Sequence, residues 1–287
     1  MSGVRPPESA SLLDVSHLLQ RKGAARISAI TPEVLGALNQ GRIATVNLVE
    51  FLAIDLHALT VRVARDIGLN AQAERIQDTL AMLGAFKPMQ RHGHIARALY
   101  DTVRQLPDTA QRDAAADALA RHPSDMARCW AANWLSFSGQ TLSEKLTAVA
   151  RFAADAHFGV REMAWSALRN DVIAQLDDAI VMLQGWTVHP DANMRRFATE
   201  ITRPRGVWCA QIEALKAAPW RALTLLEPLR QDPSRYVQDS VANWLNDASK
   251  SQPSWVTTLC AQWERESDCV PTRYIVQRAQ RTLRKGR

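Results

Sequence analysis

Apolar residues recur at i, i+3, i+4 and i+7 along almost the whole 287-residue chain, and no stretch sustains the period-two alternation of a half-buried strand. The pattern predicts an all-α protein. Pro and Gly fall at the punctuation points, as in "FKPMQRHGH", "ARHPSDM", "TVHPDAN", "QDPSRY" and "SQPSW", with Asp, Ser or Asn often beside them to cap the next helix. Helices of about 10 to 15 residues with short connections follow from this. The segment 45–69, "TVNLVEFLAIDLHALTVRVARDIGL", is the longest and most apolar and suits a packed N-terminal helical layer.

Five segments align on an apolar residue, a small residue four positions on, and an apolar residue four beyond that. They start at Ala127, Val160, Met194, Val237 and Ile275, with Ala131, Ala164, Ala198, Val241 and Ala279 at +4. Position +8 holds Leu135, Leu168, Thr202, Leu245 and Leu283, with Thr202 the polar exception. The starts lie 33, 34, 43 and 38 residues apart, in or near the range of helix-pair repeats of HEAT or armadillo type. Stacking such pairs predicts a HEAT-like-repeat α-solenoid, with a helical layer over 1–105 continuous with repeats over 106–287.

In each second helix the 0, +4 and +8 positions form the buried stripe, so +2, +6 and +10 are expected to face out, onto a concave surface. Glu162 sits at +2, Glu200 at +6 and Asp247 at +10 of three successive repeats. Arginines share or border that face: Arg169, Arg196, Arg203, Arg281 and Arg284. The run "RRFATEITRPRGVW" (195–208) holds Glu200 among four arginines, Arg205 being the last. An isolated pair of this kind is an ordinary surface salt bridge that contributes little. Three acids in one class of position form a carboxylate cluster within a basic groove.

Charge and composition narrow the reading further. The net charge of +6 and pI near 9.4 suit an anionic partner such as nucleic acid. The four cysteines, Cys129, Cys209, Cys260 and Cys269, form no CxxC pair and read as reduced thiols of a cytoplasmic protein. No apolar run approaches the roughly 20 residues of a membrane span, and "MSGVRPPESASLLDVSHLLQ" lacks a signal peptide's apolar core. "RHGHIAR" (91–97) offers two histidines without a third ligand, so a loop with solvated histidines is expected and no metal site. Walker-type loops and GxSxG elbows are absent. Trp130, Trp134, Trp165 and Trp244 read as packing residues. The basic C-terminal run "RYIVQRAQRTLRKGR" reads equally as a phosphate contact or as a solvated cap.

"HFGVREMAWSALR", "NMRRFATEITRPRGVW", "DPSRYVQDSVANWLNDASK" and "TRYIVQRAQRTLRK" together resemble the HEAT-like-repeat DNA alkylation repair glycosylases, the AlkC branch more than the AlkD branch. "LNQGRIATVNLVEFLAIDLHAL" is similar to the N-terminal helical part of AlkC-type proteins, and the resemblance runs from about residue 36 to 285. It implies a monofunctional, cofactor-free glycosylase acting on cationic alkylated purines, chiefly 3-methyladenine, in duplex DNA, without flipping the lesion into a closed pocket. A monomer that stays with the bacterial nucleoid when bound to DNA is expected. Some AlkC proteins add a C-terminal immunoglobulin-like domain, which has no counterpart in the residues after the fifth repeat.

The same resemblance places Glu162, Glu200 and Asp247 as the acids facing the lesion and Trp208 as an aromatic lining the site. Arg196 and Arg203 then hold phosphate or buttress the acids, and Arg169, Arg205, Arg281 and Arg284 are expected with them as DNA contacts. A cationic purine is already a good leaving group, so the chemistry needs carboxylates beside the deoxyribose to stabilise an oxocarbenium ion and to orient water. Two other readings are compatible with the residues: a catalytically silent DNA- or protein-binding solenoid, and a glycosylase for bulky or crosslinked adducts.

Overall fold

The computed structural model describes residues 15–206 and 209–285, apart from the side chains of 73–75, 88, 89 and 285. Among them every regular element is helical. The chain divides into two compact units, Met1–Ala127 and Arg128–Arg287. The first contains α1 (Ser16–Leu19), α2 (Pro32–Asn39), α3 (Leu48–Ala53), α4 (Leu56–Asp66), α5 (Ala73–Met82), α6 (Pro88–Arg104) and α7 (Thr109–Ala120), and its border falls inside α8 (Asp125–Asn133). The expected break at 105/106 lies in the turn between α6 and α7.

The second unit continues with α9 (Leu142–Ala153), α10 (Phe158–Ala174), α11 (Leu176–Leu183) and α12 (Ala192–Ile201). Two short helices follow, α13 (Glu213–Ala217) and α14 (Leu223–Leu226), then α15 (Arg235–Ser249), α16 (Pro253–Glu266), α17 (Val270–Ala279) and α18 (Arg281–Lys285).

Helix starts follow the capping chemistry of the sequence. Asn47, Asp55, Asp108 and Asp191 each accept a first-turn amide, and Thr141 with Glu144 closes a capping box at the start of α9. The apolar segment 45–69 is accordingly not one helix. Ile54 is extended, and the Asp55 carboxylate takes the amides of His57 and Ala58, ending α3 and starting α4. Two buried carboxylates anchor this region. Glu50 receives Arg21 at 3.0 and 2.6 Å, and Asp125 receives the Thr45 amide and hydroxyl at 3.0 and 2.7 Å.

In the second unit α10, α12, α15 and α17 stack in order, each against the next. The aligned stripe is their contact surface: Val160, Ala164 and Leu168, then Ala198, then Val237, Val241 and Leu245, then Ile275 and Ala279, are all inaccessible to solvent. Each buried Val, Ile or Leu side chain contributes roughly 1.5–3 kcal/mol. The small residue at +4 admits the neighbouring backbone. Thr202, the polar exception, is buried because its hydroxyl donates to the Ala198 carbonyl, while its own carbonyl accepts the Trp244 indole at 3.0 Å. The longer 43-residue interval accommodates the segment after α12, closed by the Ile212 amide donating to the Pro204 carbonyl at 3.0 Å.

A candidate functional site of alternating charge

α10, α12 and α15 bring the three predicted acids into one chain of contacts. Arg196 on α12 donates to Glu162 of α10 at 2.6 Å and lies 3.4 Å from Glu200, one turn along its own helix. Arg203 reaches Glu200 at 3.3 Å and grips Asp247 of α15 through Nε and Nη2, at 3.0 and 2.7 Å. Lys250 completes the series at 3.0 Å from the other Asp247 oxygen. The order is Glu162, Arg196, Glu200, Arg203, Asp247, Lys250. Signs alternate throughout, and every inter-helix step is an ion pair. Ser240 of α15 adds a hydroxyl to Glu200 at 2.8 Å.

The three acids differ in access. The Glu162 side chain is 42% exposed, whereas those of Glu200 and Asp247 are 4% and 6% exposed. The expectation that all three face outward therefore holds for Glu162 and is corrected for the other two. Glu200 and Asp247 are covered because the long arginines that neutralise them lie across them. Burial works against the charge of Arg196 and Arg203. The flanking carboxylates outweigh it, Glu200 first in both cases, and hold both guanidiniums above the ordinary arginine range. This is the buttressing role open to them in the sequence.

The other predicted arginines separate. Arg169, expected as a DNA contact, is 1% exposed, and its nitrogens donate to the carbonyls of Ile201, Arg203 and Ala210 at 2.7, 2.5 and 3.1 Å. Its position on the inner side of α10 makes it the clamp of the segment after α12. Arg205 donates to the Ser251 hydroxyl at 2.7 Å, and Arg281 to the Asn243 amide oxygen at 2.9 Å. Arg284 is exposed on α18. Trp208 lies outside the described residues.

Trp165 was expected with Trp130, Trp134 and Trp244 to serve core or inter-repeat packing. Those three are buried, but Trp165 is half-buried one turn from Glu162, and its indole donates to the second Glu162 oxygen at 2.9 Å. The i, i+3 spacing in "REMAW" is the signal for it. Tyr236 of α15 is a second residue the repeat alignment left out. Its ring lies 4.3 Å from the Arg196 guanidinium carbon and 5.1 Å from that of Arg161. In the first unit the "RHGH" histidines are not in a loop. They lie on α6, where His92 is buried and only His94 is exposed. Among the described residues no three His, Cys, Asp or Glu side chains converge as metal ligands.

No family model matches the sequence. Over 119 residues the chain is 40% identical to the protein YhaZ of Bacillus subtilis, a stretch covering 42% of this chain and 33% of that protein. Among solved structures it aligns with the alkylpurine DNA glycosylase AlkC of Pseudomonas fluorescens, bound to DNA containing an abasic site analogue. That alignment has a TM-score of 0.65 at 23% identity and covers 79% of this chain and 61% of that one.

The chain shares the helical-repeat fold of that structure. AlkD2 from Streptococcus mutans aligns with a TM-score of 0.54 at 20% identity, over 71% of this chain and 97% of that one. The chain thus spans about a third of YhaZ and about three-fifths of the AlkC structure. Among the described residues no helix is long and apolar enough to cross a membrane.

Proposed function

We propose that the protein hydrolyses the N-glycosidic bond of cationic alkylated purines, 3-methyladenine foremost, in duplex DNA. The observation that carries this is the charge series itself, which holds one accessible carboxylate, Glu162, at the end of a pre-arranged row of buried counter-charges. In the proposed reaction the C1′–N bond breaks and its electron pair neutralises the purinium ring. The oxocarbenium ion left on the sugar is stabilised by Glu162. A water molecule adds to C1′ and its proton passes to a carboxylate, leaving free base and an abasic site. One such pre-organised electrostatic contact contributes about 3–4 kcal/mol to a transition state. Glu200 and Asp247 complete the proposed acid cluster, and Arg196 and Arg203 keep it from collapsing or repelling DNA. Trp165 fixes the Glu162 carboxylate from the side opposite Arg196. Trp208 is proposed to offer its π face to the lesion, a contact of roughly 0.5–2 kcal/mol.

A second reading, a DNA-binding protein without catalysis, draws on the pairing of Glu200 and Asp247 with arginines, which is what a purely structural ion-pair ladder needs. Release of free base from methylated duplex DNA, quantified by mass spectrometry, separates the two. The wild type is compared with Glu162→Gln, Glu200→Gln and Asp247→Asn at matched folding. Release of 3-methyladenine that Glu162→Gln abolishes while DNA binding persists is the expected result. Binding without release from any simple methyl adduct refutes the proposed reaction and leaves the binding reading.

A further inference from the structure

The α15 helix opens with Arg-Tyr, in "SRYVQ" (234–238), and α17 carries the same dipeptide at its fourth and fifth residues, in "TRYIVQ" (272–277); in both the tyrosine ring is flanked by two arginines. Tyr236 takes Arg161 and Arg196, as described above. Tyr274 takes Arg235 at 3.4 Å and Arg278 at 5.4 Å, and its hydroxyl donates to Asp239. The two clamps differ in what the arginines have left to give. Arg161 donates to the carbonyls of Asp155 and Ala156 and to the Tyr236 hydroxyl, and Arg196 is committed to Glu162 and Glu200. Arg273 is held by Asp268, and Arg278 by Asp239 at 3.3 Å. Arg235 is exposed, lies over an aromatic ring, and among the described residues meets no hydrogen-bond acceptor.

We propose that Arg235, held by Tyr274, is a pre-formed grip for a backbone phosphate of duplex DNA. This rests on the proposed function and adds to it a contact point at the start of α15, the helix that carries Asp247. Three features favour an anion there. The contact with the Tyr274 ring restrains the guanidinium, so less side-chain entropy is lost when it meets two phosphate oxygens. Arg235 is the first residue of α15, whose N-cap Ser234 makes no side-chain bond to the first turn, while the buried Asp232 that accepts the Ser234 amide at 2.8 Å is itself neutralised by Arg195. Asp239, one turn along α15, is already countered by Arg278 and by the Tyr274 hydroxyl. An ordinary exposed arginine shares none of these constraints.

The test is the affinity of the full chain for an undamaged duplex of about 20 base pairs, by fluorescence anisotropy across a salt series. Wild type is compared with Arg235→Gln, Arg235→Lys, Tyr274→Leu and a control of equal charge change on α16, Arg265→Gln. Arg235→Gln is expected to weaken binding about tenfold, the equivalent of one charge-assisted contact, and to reduce the slope of log K against log salt by about one. Arg235→Lys should keep the slope while losing part of the affinity, and Tyr274→Leu should weaken binding with the slope retained. An Arg235→Gln variant indistinguishable from Arg265→Gln overturns the grip while wild-type binding stands. Absence of duplex binding by the wild type overturns the proposed function and the grip with it.

Discussion

Replacing Arg169 by Met tests whether this residue belongs to the protein's interior or to its DNA interface. The guanidinium makes three hydrogen bonds to main-chain carbonyls in a position 1% exposed, and it closes the segment between Ile201 and Ala210. A hydrogen bond to a charged group contributes about 1.5–3 kcal/mol, but here one buried cation supports all three. Its own desolvation opposes them, since burial lowers the Arg169 pKa despite the favourable charges nearby. The sum is therefore closer to the roughly 3–5 kcal/mol lost when one partner of a buried polar assembly is removed. Arg169→Lys, reaching one carbonyl at a time, should recover about a third of that. Urea denaturation gives the stability, and hydrogen exchange of the Ile212 amide, which closes the same segment onto Pro204, reports the local opening. Arg169→Met should expose that amide at much lower cost than global unfolding. A variant within about 0.5 kcal/mol of wild type, with Ile212 still protected but with the salt dependence of DNA binding reduced, would return Arg169 to the DNA interface and refute the clamp.

Two further outcomes follow from burial. Burial lowers the His92 pKa from 6.5 to about 4, with Asp125 opposing the shift, so the folded imidazole refuses a proton that the unfolded chain accepts. Stability is complete above about pH 6.5 and falls by about 3 kcal/mol as pH drops towards about 4. Urea denaturation at pH 7 and pH 4.5 should show that loss, and a His92→Gln variant with the same loss would remove its cause. Among the thiols, burial pushes Cys260 up to about 12. Cys269 is held below its ordinary value: burial opposes this, but hydrogen bonds with Ser267 and Thr272 and the charge of Arg273 prevail. Iodoacetamide at pH 8.5 should label Cys269 well before Cys260, read by peptide mass spectrometry, and equal rates would contradict the packing around α16.

What could be read from the sequence was what repeats. The stripe from Ala127 to Ala279 is buried as its spacing predicts, because a helix that stacks on both neighbours needs one small and two apolar residues per two turns. Position within the repeat located Glu162, Glu200 and Asp247 on one row, yet not their depth. Depth depends on Arg196 and Arg203, whose length lets them fold over the acids, a property of two helices together that spacing along one does not encode. The same limit applies to Arg169, where a +9 position borders the groove face but the side chain turns inward to carbonyls 32 to 41 residues away. The break in 45–69 was legible in Asp55, a capping residue inside an apolar run, and was masked by the strength of the run itself. The recurring "RY" of α15 and α17 was visible too, and carried meaning only once the rings were found under arginines.

Repeat proteins ordinarily grow and shrink by whole units, since each unit meets only its neighbours and any neighbour will serve. The alternating series from Glu162 to Lys250 removes that freedom. Each helix there supplies the charge its neighbour lacks, so deleting, duplicating or swapping a unit sets like charges side by side or strands a carboxylate in the interior. The stack between α10 and α15 is thus fixed in number and order. In this stretch the chain behaves as a sentence with set word order, while the apolar stripe beneath it would tolerate rearrangement.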